Sequence, residues 1–153
     1  MEAHYEYRIK TLCAGLRKGI VHAEAVLPSI SFSAPPEFLG EPGFWTPEHL
    51  LVASVASCFV STFSGFAEKS KLEIASFQLD AEGVLDNEAG IWRFSKIRLR
   101  PLVTVPKEEG RDRALRLLDK AEKSCLIARA LRFKVFLEPS VKIEEHLAVA
   151  AGI

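Results

Sequence analysis

A chain of 153 residues with 20 basic and 20 acidic side chains carries no net formal charge. That excludes the strong cationic field on which phosphate-backbone binding depends, so no nucleic-acid partner is expected. The length suits one domain over 1–153, with a core that needs no staples. Hydrophobic residues at 48% and charged residues at 26% fit a globular protein, and zero net charge leaves a self-associating surface open.

The opening residues, MEAHYEYRIK, contain no apolar run ahead of a small-residue cleavage site, so no secretory leader is expected. The most apolar stretch, Leu50 to Phe66, includes five serines or threonines and falls short of the ~20 apolar residues of a membrane span. These features predict a cytoplasmic protein with no membrane partner. Three cysteines are an odd count with no CxxC, which argues against a structural disulfide framework or a thioredoxin-like dithiol.

Tyr5 to Cys13 alternates loosely as a half-buried strand does, Gly15 to Gly19 reads as a turn, and Ile20 to Leu27 as the return strand. Ile30 to Ser33 suggests a third short strand. Pro35, Pro36, Gly40, Pro42 and Gly43 then enforce a loop.

Thr46-Pro47-Glu48 is a helix start: threonine caps free amides, proline suits the first helical position, and glutamate complements the positive end. No breaker except Gly65 appears before about Lys69. A helix of about 23 residues runs roughly 35 Å. Between Leu50 and Phe63 it is apolar or small on every side, which predicts burial all round and a second copy of the chain as its cover.

Phe77 to Leu85 and Ile91 to Val105 read as strands joined by an Asp86–Gly90 turn. Glu108 to Lys123 is amphipathic, with Ala114, Leu117, Leu118 and Ala121 facing inward. Ser124 to Leu131 reads as a short helix and Phe133 to Ile143 as a last strand. The pattern is an α+β fold.

Cys58, taken alone on an apolar helix, reads as a small buried hydrophobe. Cys125, closing an amphipathic helix, reads equally well as packing, and Cys13 has no polar company. His4, His22, His49 and His146 lack the i, i+3 or i, i+4 spacing of metal ligands, so no metal site is expected. A cysteine hydrolase would need His49 or His22 beside Cys58.

The segment TPEHLLVASVASCF resembles the OsmC/Ohr family motif, in which Pro-Glu opens the long central helix and a cysteine follows ten residues after the glutamate. AGLRKGIV is similar to the family's first hairpin, matching at Arg17. SAPPEFLGEPG is similar to the loop before the helix, and KAEKSCLIARAL to the second cysteine motif, matching at Cys125. The chain departs from the better-characterised branches at Leu126 and Ala128, where proline and serine are usual, and at Trp45, where asparagine is frequent. It looks closer to a less characterised OsmC-like branch.

The resemblance implies antiparallel sheets around a buried central helix, an intertwined homodimer with shared sites, and thiol-dependent reduction of organic hydroperoxides. Cys58 would attack the peroxide as thiolate and Cys125 would resolve the sulfenic acid as a disulfide. Arg17 would offset the burial of the thiolate, and Glu48 would hold the guanidinium. No metal or haem is implied; an external dithiol, of lipoyl type in the family, would restore the thiols. Glu48 and Cys58 lie ten residues apart on one helix, about 15 Å along its axis, so a site using both must be shared between subunits. Phe59, Phe63 and Phe66, with Phe38, Leu39, Phe44 and Trp45 on the preceding loop, are expected to line an apolar substrate pocket, although core packing explains many of them equally. The alternative is a non-enzymatic dimer of the same fold that binds a hydrophobic ligand or senses redox state.

Overall fold

The computed structural model describes residues 2–145. His146 and the tail after it lie outside the described residues. The chain divides into two compact units, one up to Leu51 and one from Val52 onward.

The first unit is a three-stranded antiparallel sheet in the order β1 (Ile9–Cys13), β2 (Lys18–Ala23), β3 (Val26–Ser33). The β1–β2 turn is where the glycines placed it. Gly19 is required there, because a Cβ would lie 2.5 Å from the Leu12 carbonyl oxygen. The expected return strand to Leu27 instead ends at Ala23. The chain reverses tightly at Glu24–Ala25, and the third strand starts early, at Val26. Ala25 takes a positive φ of 59°, a conformation that glycine or asparagine normally announces. All five residues of β1 are exposed, as are Ile20 and Ile30.

A loop follows, with a 3-10 turn at Pro36–Phe38, and then α1 begins at Pro47 and runs to Lys69. Thr46 caps it as expected: its hydroxyl oxygen accepts the His49 amide at 3.2 Å. α1 has the expected length, 23 residues, and a mean hydropathy of 1.8 over its most apolar window. It meets the length and composition of a membrane span.

The second unit pairs β4 (Ser76–Glu88) with β5 (Ile91–Val105) in a long antiparallel hairpin. Its tip is Ala89–Gly90, both at positive φ, the geometry that a tight hairpin needs. After a 3-10 turn at Glu108–Gly110 come α2 (Arg111–Ser124) and the short α3 (Leu126–Ala130). The last expected strand is two, β6 (Lys134–Leu137) and β7 (Ser140–Ile143), each parallel to β5. Pro139 lies between them and cannot donate to a ladder.

The core of this unit joins three periodicities. In α1, Val55, Phe59, Phe63 and Ala67 recur every four residues and are buried. In β5, Ile97, Leu99, Val103 and Val105 alternate inward. In α2, Ala114, Leu118 and Ala121 form the buried stripe. Each large side chain enclosed this way contributes roughly 1.5–3 kcal/mol. The other rows of α1 are not enclosed in the single chain. Ser54, Cys58, Thr62 and Phe66 are half-buried, while Ser57, Ser61 and Ser64 are exposed. The expectation of burial on every side therefore holds for one stripe of this helix.

Candidate active site

Cys58 and Cys125 come together within the second unit. Cys58 lies mid-way along α1, half-buried; Cys125 ends α2 and is fully buried. The chain turns sharply at Cys125 (φ −65°, ψ 114°), which closes α2 and caps α3. That turn lays the start of α3 against the Cys58 sulfur. Both thiols are free, and they neighbour one another.

The pair is polarised. Burial pushes the Cys58 thiol up, but the hydrogen bond from Cys125, with smaller ones from the Ile127 amide, the Thr62 hydroxyl and the Leu126 amide, outweighs it. The net position is below the ordinary thiol value. Cys125 is driven the other way, up to about 11, first by burial and then by its bond to Cys58. One sulfur is thus set up to carry negative charge and its neighbour to keep a proton. Thiolate, not thiol, is the nucleophile.

Arg17 and Glu48 belong to the first unit. Arg17 occupies the β1–β2 turn at φ 59°, where its carbonyl accepts the Ala34 amide at 2.9 Å. Its neighbour Lys18 pairs with Glu41, so the turn is tied to the loop ahead of α1. The Arg17 side chain is exposed and makes no ion pair among the described residues. Glu48 stands in the first turn of α1, and its Oε2 is buried without a hydrogen-bond partner. The two side chains do not pair with each other in the single chain.

His49 is occupied otherwise than as a base for Cys58. Its Nδ1 accepts the Thr46 amide at 3.2 Å and lies 2.9 Å from the Thr46 hydroxyl, completing a reciprocal cap in the manner of a capping box. Among the described residues no group of three His, Cys, Asp or Glu side chains could hold a metal ion.

The aromatic residues divide. Phe44 and Trp45 line a shallow cavity of about 310 Å³ with Gly43 and His49. Phe38 is half-buried on the same loop. Phe59 and Phe63 are fully enclosed in the core, the latter edge-to-face with Phe77 at 4.7 Å. They are therefore corrected from pocket wall to core. An aromatic residue beside a cysteine on a helix gives the same sequence signal in either role, and the i+4 stripe with Val55 and Ala67 decides it. Thr62 and the amides of Leu126 and Ile127 were not foreseen. The usable signal for Thr62 was its place one turn beyond Cys58.

Comparison with known proteins agrees with this architecture. The model of the OsmC-like protein family matches residues 40–140. The uncharacterized protein YmaD of Bacillus subtilis is 31% identical over 146 residues, covering 92% of this chain and 97% of YmaD. Among solved structures, an OsmC-like protein of unknown function from Vibrio cholerae superposes with a TM-score of 0.79 at 21% identity, covering 89% of this chain and 99% of its own. An organic hydroperoxide resistance protein from Legionella pneumophila gives 0.73 at 26% identity, over 92% of this chain and 99% of its own. OhrB of Bacillus subtilis, an organic hydroperoxide resistance protein, gives 0.65 at 19%, over 90% and 98%. The chain belongs to the OsmC-like family.

Proposed function

We propose that this protein is a two-cysteine peroxidase for organic hydroperoxides, working in the cytoplasm as a homodimer. The observation that carries the reading is the Cys58–Cys125 pair: two free, neighbouring thiols, with the pKa of Cys58 lowered and that of Cys125 raised. In the first step the Cys58 thiolate attacks the distal peroxide oxygen. The O–O bond breaks, the alkoxide leaves and takes a proton as the alcohol, and the sulfur becomes a sulfenic acid. Cys125 then attacks that sulfur; an S–S bond forms and the hydroxyl leaves as water. An external dithiol reduces the disulfide by exchange, becoming a disulfide itself.

Arg17 and Glu48 complete the site from a second copy. A guanidinium remains charged at any relevant pH and offsets charge on a buried sulfur. The unpartnered Glu48 oxygen is a strong acceptor for it. The exposed apolar residues of the β1–β3 sheet and the open rows of α1 are surfaces that a second copy would cover, as exposed apolar patches of this kind mark interaction surfaces. The Phe44–Trp45 cavity favours alkyl hydroperoxides over hydrogen peroxide.

The test is consumption of cumene hydroperoxide by the reduced protein with a dithiol reductant, for wild type, Cys58→Ser and Cys125→Ser. Wild type is expected to turn over, and Cys58→Ser to sit at background. Cys125→Ser is expected to react once and then inactivate. Wild type at the Cys58→Ser background sinks the peroxidase and leaves the ligand-binding or redox-sensing dimer.

A further inference from the structure

We propose that the cavity at the far end of α3 from Cys125, between the start of β5 and the turn into β6, binds a small carboxylate with an apolar body, its charge taken by Arg132. Such a site lies outside the peroxidase chemistry and does not depend on Cys58.

The cavity lies within the second unit and holds about 860 Å³, the size of a small-molecule site. Its apolar wall is Phe94, Leu131 and Phe133. All three are half-buried, and Leu131 and Phe133 also pack against the core. The two rings stack, with centroids 5.8 Å apart and planes at 24°. Gly83 on β4 makes room for the first of them, because a Cβ there would meet the Phe94 ring at 2.9 Å. The missing side chain lets that ring lie close against the sheet.

The strand supplies the shape. β4 and β5 keep register except between Val84 and Leu85, which face Lys96 and Phe94, so Ser95 is an extra residue in β5. A regular strand turns successive residues to opposite faces. Here three in a row, Arg93, Phe94 and Ser95, line one cavity. Bulges re-aim side chains in this way and recur beside active sites.

The charges then select the ligand. Glu88 and Arg93, both on the lining, pair with each other. The Ser95 hydroxyl donates to the Val84 carbonyl at 3.4 Å. Arg132 is exposed and makes no ion pair or side-chain hydrogen bond among the described residues. Two guanidiniums against one carboxylate leave one positive charge in excess, and the free donors are those of Arg132. A guanidinium presents paired N–H groups that match a carboxylate. A polyphosphate would need more than one free cation, and an uncharged apolar molecule would leave Arg132 unused. A monoanionic carboxylate on a ring or short alkyl chain suits both the wall and the charge.

The experiment titrates the full-length protein with 4-phenylbutyrate, and with 4-phenylbutan-1-ol as its uncharged counterpart, followed by amide 1H–15N correlation spectra. The acid is expected to saturate below ~1 mM, with shifts centred on Arg93–Ser95 and Ala130–Phe133. Arg132→Met keeps an apolar stem and removes the charge. It is expected to weaken the acid about tenfold, in line with a lost charged hydrogen bond, and to leave the alcohol unchanged. Added salt is expected to weaken the acid alone. An acid that does not saturate overturns the proposal, and a cavity covered by a second copy would give that result. Shifts centred elsewhere, as on the Phe44–Trp45 cavity, overturn it too, as do equal affinities of acid and alcohol for the parent or an Arg132→Met that binds the acid as the parent does. Should Arg132→Met fail to fold, the place of the shifts and the acid–alcohol comparison decide alone. Cys58→Ser protein is expected to bind the acid like the parent; lost binding there would put the ligand at the thiols and overturn the separate site.

Discussion

The opposed acidities of Cys58 and Cys125 predict a strong selectivity between two neighbouring sulfurs. A thiol pushed up to about 11 holds roughly one thiolate in three thousand at pH 7.5, where an ordinary thiol near 8.5 is about one-tenth ionised, a difference of about three hundredfold. A more basic thiolate is the better nucleophile, with a sensitivity of about 0.4–0.5 per unit, which returns roughly a factor of ten to the buried thiol. Cys125 should therefore react about thirtyfold more slowly than an ordinary thiol. Cys58, held on the acidic side of its ordinary value by its neighbours, should be alkylated faster than Cys125 by a margin of that order, and the complete burial of Cys125 widens it. The sign of the pH dependence follows. Raising the pH from 6 brings the Cys58 rate to its plateau first, whereas Cys125 keeps accelerating toward pH 11. The assay is a quenched time course with iodoacetamide on Cys13→Ser protein, with both peptides quantified by mass. Rates within a factor of three at pH 7.5, or a common midpoint for both, would refute the assigned polarity.

Two further predictions concern the packing that carries the site. Gly83 on β4 faces α1 so closely that a Cβ would meet Val52 Cγ2 at 2.6 Å and Phe94 at 2.9 Å. Gly83→Ala should destabilise the fold by about 1–3 kcal/mol, read as a lower urea midpoint at unchanged slope; equal midpoints would contradict the contact. Phe63, fully buried against Phe77, should cost about 3–5 kcal/mol as Phe63→Ala, while substrate selectivity among the surviving folded molecules stays unchanged. A selectivity change without a stability loss would return Phe63 to the pocket wall.

What the sequence disclosed follows from where local chemistry and tertiary packing agree. Thr46-Pro47-Glu48 announced α1 because capping is decided within one turn. Strand β5 was bounded at Ile91 and Val105 as expected, since strict alternation and Gly90 leave little freedom. The reversal at Ala25 was hidden because alanine at positive φ gives no compositional sign. Phe59 and Phe63 were ambiguous because apolarity suits a core and a pocket equally.

The rows of α1 connect these points. A thiol on the Val55–Phe59–Phe63–Ala67 stripe would be sealed from any peroxide, and one on the exposed Ser57–Ser61–Ser64 row would be held by solvent alone. Cys58 stands on the half-buried row between them, with the turn at Cys125 supplying donors on one side and an approach left on the other. In the proposed shared site Glu48 and Cys58 come from different copies, because ten residues of one helix separate them. In an antiparallel pair of α1 helices, Glu48 of one protomer lies level with Cys58 of its partner only when the two-fold axis passes their midpoint, Ala53. That residue has a small side chain and is half-buried. Small residues at a crossing let two helix backbones approach closely, so the position that the proposed shared site requires is also one at which the helices can meet.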